Sequence, residues 1–171
     1  MLLSRERFAG IVDAYSAELT RYALRRMRSL SLAQDVVQEV FLRLAKTDFR
    51  KIEDHLRPWL FRACRNLSID HLRRMGRWEF CPGQILEQNQ DEASDNPALH
   101  ADRDEQCGLL RECLHKLPER NREILWLKFS GGLSYQEIGR VMALSESNVG
   151  FLLHRSLCQL RAHFQQEVLE P

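Results

Sequence analysis

The sequence predicts an all-α protein: two small helical bundles joined by a flexible acidic linker. Three observations predict this. Apolar residues recur at three- and four-residue steps through most of the chain, and no stretch alternates with the period of a strand. The periodic pattern stops from Gly76 to Asn96, a polar stretch containing Cys81-Pro82-Gly83. Charge is segregated as well. Residues 1–78 hold 16 Lys/Arg and 9 Asp/Glu (net +7), residues 79–115 hold 2 and 9 (net −7), and residues 116–171 hold 7 and 6 (net +1). A chain of 171 residues suits one ordinary domain or two small ones. The expected division is 1–76, a linker at 77–97, and 98–171.

The elements follow in order. Over residues 5–28, Phe8, Ile11, Val12, Tyr15, Leu19, Tyr22, Ala23 and Met27 form one helical stripe. Ser29 to Ser31 reads as a break. Ala33, Val36, Val37, Val40, Phe41 and Leu44 then define a helix over 32–46 whose other face carries Asp35, Gln38, Glu39, Leu42 and Arg43. A polar loop spans 47–54. Pro58 suits the first turn of a third helix, where its missing N–H would have no partner anyway, and that helix ends near Arg74. Beyond the linker, Asn96-Pro97 opens a helix reaching about His115, and Pro118 opens another that presents Ile124, Leu125, Leu127 and Phe129 and stops at Gly131-Gly132. Ser134 and Glu137 form a capping box. The helix behind it buries Ile138, Val141, Met142 and Leu144, and Ser145 caps a last helix to about Gln166.

Several classes fall away. No apolar run approaches the roughly 18 residues of a membrane span. The N-terminal Met-Leu-Leu-Ser-Arg-Glu-Arg-Phe lacks the layout of a signal peptide, so the expectation is a cytoplasmic protein without membrane insertion. The five cysteines (Cys64, Cys81, Cys107, Cys113, Cys158) are odd in number and include no Cys-x-x-Cys, which argues against a disulfide framework. His100, Cys107, Cys113 and His115 match no familiar zinc spacing, so no metal and no cofactor are expected. There is no glycine-rich phosphate loop, His-Glu-x-x-His or serine elbow, and hence no catalytic residue to nominate.

Three constellations remain. The third helix carries Arg57, Arg62, Arg65, Arg73 and Arg74, with Arg62, Asn66, Ile69 and Arg73 on one face. With Phe49, Arg50 and Lys51 in the preceding loop, this supplies stacking and a cationic track, which is what melted DNA requires. The plainer reading of that face alone is a solvated surface whose arginines pair with local carboxylates such as Asp70. Asp35 and Glu39, one turn apart, favour a cationic partner, unless Arg43 satisfies Glu39 within the helix. The two capped helices near the C-terminus, separated by a short turn, have the layout of a helix-turn-helix DNA reader, with Ser147, Asn148, His154 and Arg155 as polar groups on the recognition helix.

With these residues in hand, the chain resembles a bacterial RNA polymerase sigma factor of the extracytoplasmic-function group. The stretch Ala33-Gln34-Asp35-Val36-Val37-Gln38-Glu39-Val40-Phe41-Leu42-Arg43-Leu44 resembles the helix that docks on the polymerase clamp. Residues 57–74, beginning Arg57-Pro58-Trp59-Leu60-Phe61-Arg62, resemble the region that opens the minus-ten promoter element, and Leu117 to Leu160 resembles the domain that reads the minus-thirty-five element. The resemblance implies core RNA polymerase and promoter DNA as partners, with Asp35, Gln38, Glu39 and Leu42 facing the polymerase. It implies that the loop at 48–55 receives a flipped base beside Arg62, Asn66 and Asp70, without bond chemistry. It also implies that the acidic segment, with Asp91, Glu92 and Asp95, occupies the enzyme's basic nucleic-acid channel until RNA displaces it.

The sequence departs from the family twice. Leu32 and Gln34 stand where an acidic pair usually opens the docking helix; phosphorylation of Ser29 or Ser31 by a regulatory kinase would restore negative charge. Gly150, Phe151 and Leu152 replace a basic and small polar run on the recognition helix, so Phe151 either meets thymine methyls or packs against a partner such as an anti-sigma protein. The competing readings are a stand-alone helix-turn-helix regulator and a helical enzyme or metal-binding adaptor.

Overall fold

The computed structural model describes residues 4–75 and 108–169. The expected linker at 77–97, the helix start at Asn96-Pro97, and the residues Asp91, Glu92, Asp95, His100 and Cys107 lie outside the described residues. The elements are α1 (Arg5–Met27), α2 (Leu30–Lys46), 3₁₀ turns at Phe49–Lys51 and Glu53–His55, α3 (Leu56–Arg74), α4 (108–115), α5 (Glu119–Phe129), α6 (Tyr135–Met142) and α7 (Glu146–Leu169). The described residues contain no strand, as the periodicity predicts.

Helices α1, α2 and α3 pack together as the N-terminal bundle. The predicted stripe of α1 faces inward: Leu19, Tyr22 and Ala23 are fully buried, with Ile11 and Met27 close behind. Ala33, Val36, Val37, Val40, Phe41 and Leu44 of α2 are all buried, as their spacing requires. Helix α2 starts at Leu30 rather than at residue 32, because the Ser29 hydroxyl accepts the Leu32 N–H at 3.4 Å and caps the helix. Ser31 therefore lies within the first turn and not in a break. Helix α3 starts at Leu56, which makes Pro58 its third residue, and it buries Leu60, Phe61, Cys64 and Leu67.

Helices α5, α6 and α7 form the C-terminal bundle. The Ser134–Glu137 capping box is present, with Ser134 N–H donating to Glu137 Oε2 at 2.8 Å and Glu137 N–H to Ser134 Oγ at 3.2 Å. The chain then turns within three residues. Ala143 takes a left-handed conformation (φ 56°), Leu144 N–H donates to Gly139 C=O at 2.9 Å, and Ser145 Oγ accepts the Asn148 N–H at 3.3 Å. Gly139 is required here, since a Cβ would come within 2.6 Å of the Leu144 carbonyl oxygen.

Helix α5 departs from expectation. Phe129, assigned to its apolar side, is 66% exposed, whereas Glu123 is 1% exposed. The reason is that α5 is covered on two sides, by α7 and by the N-terminal bundle. Its Trp126 packs against Tyr22 (ring centroids 5.2 Å apart) and Phe61 (6.2 Å). Helix α3 also packs on α6. The two bundles thus share one apolar cluster rather than standing apart.

Candidate nucleic-acid and polymerase interfaces

The exposed face of α2 is built by the same period that buries its other face. Asp35, Gln38, Glu39 and Leu42 all reach solvent, and Leu42 is 55% exposed although it is apolar. Arg43 Nε donates to Glu39 Oε1 at 3.3 Å, so the intrahelical pairing weighed from sequence does form, between two half-exposed side chains that water screens. Asp35 and Glu39 also border an open groove of about 300 Å³ between α2 and α3, whose far wall includes His71 and Arg74.

Along α3, Arg62, Asn66, Arg73 and Arg74 are exposed, while Asp70 and Ile69 are half-buried. Arg62, Asn66 and Arg73 therefore do share an outer face. Arg50 and Lys51 are exposed on the first 3₁₀ turn. Phe49 corrects the sequence reading: it is 6% exposed, and the Arg7 guanidinium lies 4.5 Å above its ring centroid. A ring already packed in the core on one side and covered by a cation on the other offers no stacking platform. Arg65 lies off that outer face and donates from Nε to Glu123 Oε1 at 3.1 Å, on the C-terminal bundle.

On α7, Ser147, Asn148, Phe151, His154 and Arg155 are all exposed, and Phe151 is 62% so. Val149, Leu153 and Ser156 form the buried side. Leu152 belongs to the partly buried residues around the core, so this departure from the family pattern is a packing residue and not a lost surface contact. Phe151 is the departure that changes the surface. Cys113 is buried, and among the described residues no group of three His, Cys, Asp or Glu could hold a metal.

The sequence reading missed the contact between the bundles. Glu123 Oε1 accepts Tyr22 Oη–H at 2.6 Å, Arg26 Nη2 at 2.6 Å and Arg65 Nε at 3.1 Å. Glu119, one turn earlier on α5, faces Arg25 and Arg26 at 3.6 Å each and accepts Arg122 Nη2 at 3.0 Å. Arg57 bridges the bundles too, donating to Glu18 at 2.7 Å and to the Gly131 carbonyl at 2.5 Å. Burial raises the pKa of the Glu123 carboxyl, but Arg26, Arg65, the Tyr22 hydroxyl and Arg25 together outweigh it and hold the group below the usual carboxylate range. Arg26 answers in kind: burial lowers it, and Glu123, with Tyr22 and Glu119, more than restores it. Tyr22 is raised by burial and by the Glu123 charge, so it stays a neutral donor. The one legible signal was the Glu119/Glu123 spacing, one turn apart on α5; nothing in one dimension named its partners.

Residues 11–78 match the family Sigma-70 region 2, and residues 107–160 match Sigma-70, region 4. Over 160 residues, covering 92% of this chain and 88% of the relative, it is 31% identical to the ECF RNA polymerase sigma factor SigL of Mycobacterium tuberculosis. The chain belongs to the ECF RNA polymerase sigma factors. It is also 27% identical over 158 residues to SigM of Bacillus subtilis, covering 92% of this sigma factor and 95% of SigM. Its fold is similar to that of CnrH, solved in complex with the cytosolic domain of CnrY (TM-score 0.63, 23% identity, 95% of this chain and 90% of that one). It is similar as well to RpoE of Bartonella quintana, solved with the anti-sigma factor NepR (TM-score 0.64, 18% identity, 92% and 96%). As a sigma factor it acts with core RNA polymerase and promoter DNA in transcription initiation, and α6 and α7, joined by a short turn within the region 4 match, are consistent with a helix-turn-helix. No described helix is long and apolar enough to cross a membrane.

Proposed function

We propose that residues 1–76 dock on core RNA polymerase through Asp35, Gln38, Glu39 and Leu42 and open the minus-ten element along Arg50, Lys51, Arg62, Asn66, Asp70, Arg73 and Arg74. Residues 98–171 read the minus-thirty-five element through Ser147, Asn148, Phe151, His154 and Arg155. The single observation that carries this reading is the exposure of three polar faces, on α2, α3 and α7, each backed by a buried apolar side that fixes its direction. The guanidinium track holds phosphates, and Asn66 beside it can hydrogen-bond a base edge, so a captured base stabilises the melted strand. The protein makes and breaks no bonds and works where the polymerase works, in the cytoplasm. Because the solved neighbour RpoE was captured with the anti-sigma factor NepR, we infer an anti-sigma protein as a further partner class.

The experiment is run-off transcription with core polymerase on a pool of genomic fragments. Discrete transcripts that require both the chain and the core enzyme are expected. A chain that adds no transcripts and binds duplex tightly by itself would be a stand-alone regulator instead.

A further inference from the structure

On the promoter reading proposed above, the interface between the bundles has to open when both elements are bound. The minus-ten and minus-thirty-five elements lie about 25 base pairs apart, roughly 85 Å along the duplex at about 3.4 Å per step. A compact body of some 130 residues is about 35–40 Å across. The 32 residues from 76 to 107 have a contour of at most about 110 Å, so the chain can span the distance only when the bundles part. Parting uncovers the arginines now held by α5.

Those arginines are more than the carboxylates require. Among the described residues, Arg25, Arg26 and Arg65 of the N-terminal bundle face two carboxylates, Glu119 and Glu123. Arg25 Nε and Arg26 Nε are buried without a protein hydrogen-bond partner among the described residues, and Arg25 Nη2 reaches Glu119 only as an ion pair at 3.6 Å. A buried cluster with surplus charge and idle donors is matched to a ligand carrying more negative oxygens than two carboxylates offer. The planar forks of arginine suit phosphate. Arg65 also lies three residues from Arg62, so the cluster adjoins the proposed minus-ten track.

We propose that Arg25, Arg26 and Arg65 form a second phosphate-backbone site for the melted promoter strand, which Glu119 and Glu123 occupy as phosphate mimics while the two bundles are closed. The ligand class rests on the promoter-melting reading above; the masking itself does not.

The test uses the full chain without polymerase, so that its failure is separate from failure in run-off transcription. Binding of a short fluorescent oligothymidylate is followed by anisotropy, and the radius of gyration by small-angle X-ray scattering. E119Q/E123Q keeps the side-chain volumes and removes both charges. It should expand the protein and bind the strand about tenfold or more tighter than the native chain, with a salt slope steeper by about 2 for three additional phosphates at about 0.7 each. Adding R25A/R26A should return binding to the native level while the protein stays expanded. Expansion without a gain in binding overturns the phosphate site, and a gain that survives R25A/R26A overturns its assignment to these arginines. A protein that stays compact overturns the mimicry. Should E119Q/E123Q fail to fold by circular dichroism, E119Q alone, at a part-exposed side chain, must give a smaller shift in the same direction or the proposal fails.

Discussion

Tyr22 and Glu123 are 101 residues apart in sequence, and their side chains meet at 2.6 Å in a site closed to solvent. The phenol donates to a carboxylate that Arg26 and Arg65 also hold, so one buried negative charge ties helices α1 and α3 to α5.

Removing that charge should loosen the two bundles. Glu123→Ala leaves the mostly buried Arg26 and the part-exposed Arg65 without their counter-charge, at a cost of up to about 3–5 kcal/mol. Tyr22→Phe removes only a donor to a charged acceptor, at about 1.5–3 kcal/mol. Urea denaturation read separately through tryptophan fluorescence and through helix content should change from one transition to two in Glu123→Ala, and shift without splitting in Tyr22→Phe. A single unshifted transition in both would mean that the contact carries no stability.

The contact between the bundles should hold across a defined pH range. Glu123 is depressed in the folded protein, so its contribution is present above the unfolded carboxylate pKa of about 4.3 and is lost as pH falls through the lower folded value. Tyr22 is raised, so its contribution is present below about 10 and is lost as pH climbs through the folded value. The radius of gyration should therefore stay flat between about pH 5 and 9.5 and rise on either side. A transition near pH 6.5 would point to a histidine and against this account.

The turn between α6 and α7 should respond to two small substitutions with opposite signs. Gly139→Ala drives a methyl group to 2.6 Å from the Leu144 carbonyl oxygen, which should cost about 1–3 kcal/mol and tilt the recognition helix. Ala143→Gly relieves a left-handed alanine and should stabilise by up to about 1 kcal/mol. Melting temperatures of the two variants decide this, and the order would be reversed if the turn were not held as described.

The α2 face should govern polymerase affinity without governing stability. Leu42→Ala and the pair Asp35→Ala/Glu39→Ala alter exposed side chains, so melting temperatures should move little while core polymerase binding weakens about tenfold or more, about 1.4 kcal/mol. Ser29 adds a separate handle. Ser29→Asp keeps an oxygen at the cap and adds a negative charge at a helix start that has no acidic residue in its first turn, so it should raise transcription; Ser29→Ala should cost about 1 kcal/mol of stability. Equal transcription from Ser29→Asp and the native chain would end the phosphorylation idea for that site.

The sequence alone determined the helices, their inward faces, the caps at Ser134 and Ser145, and the outward residues of α2, α3 and α7. All of these follow from the 3.6-residue period and from local hydrogen bonds, which act within a few positions. Tertiary packing decided the rest. It buried Phe49, which the loop composition offered as a stacking ring, and it exposed Phe129, which the helix pattern assigned to the core. It paired Arg65 with Glu123 on the other bundle, and it brought Arg25, Arg26, Tyr22 and Glu119 to the same contact. Burial and ion pairing between residues about a hundred positions apart depend on how two bundles meet, and no local period encodes that meeting.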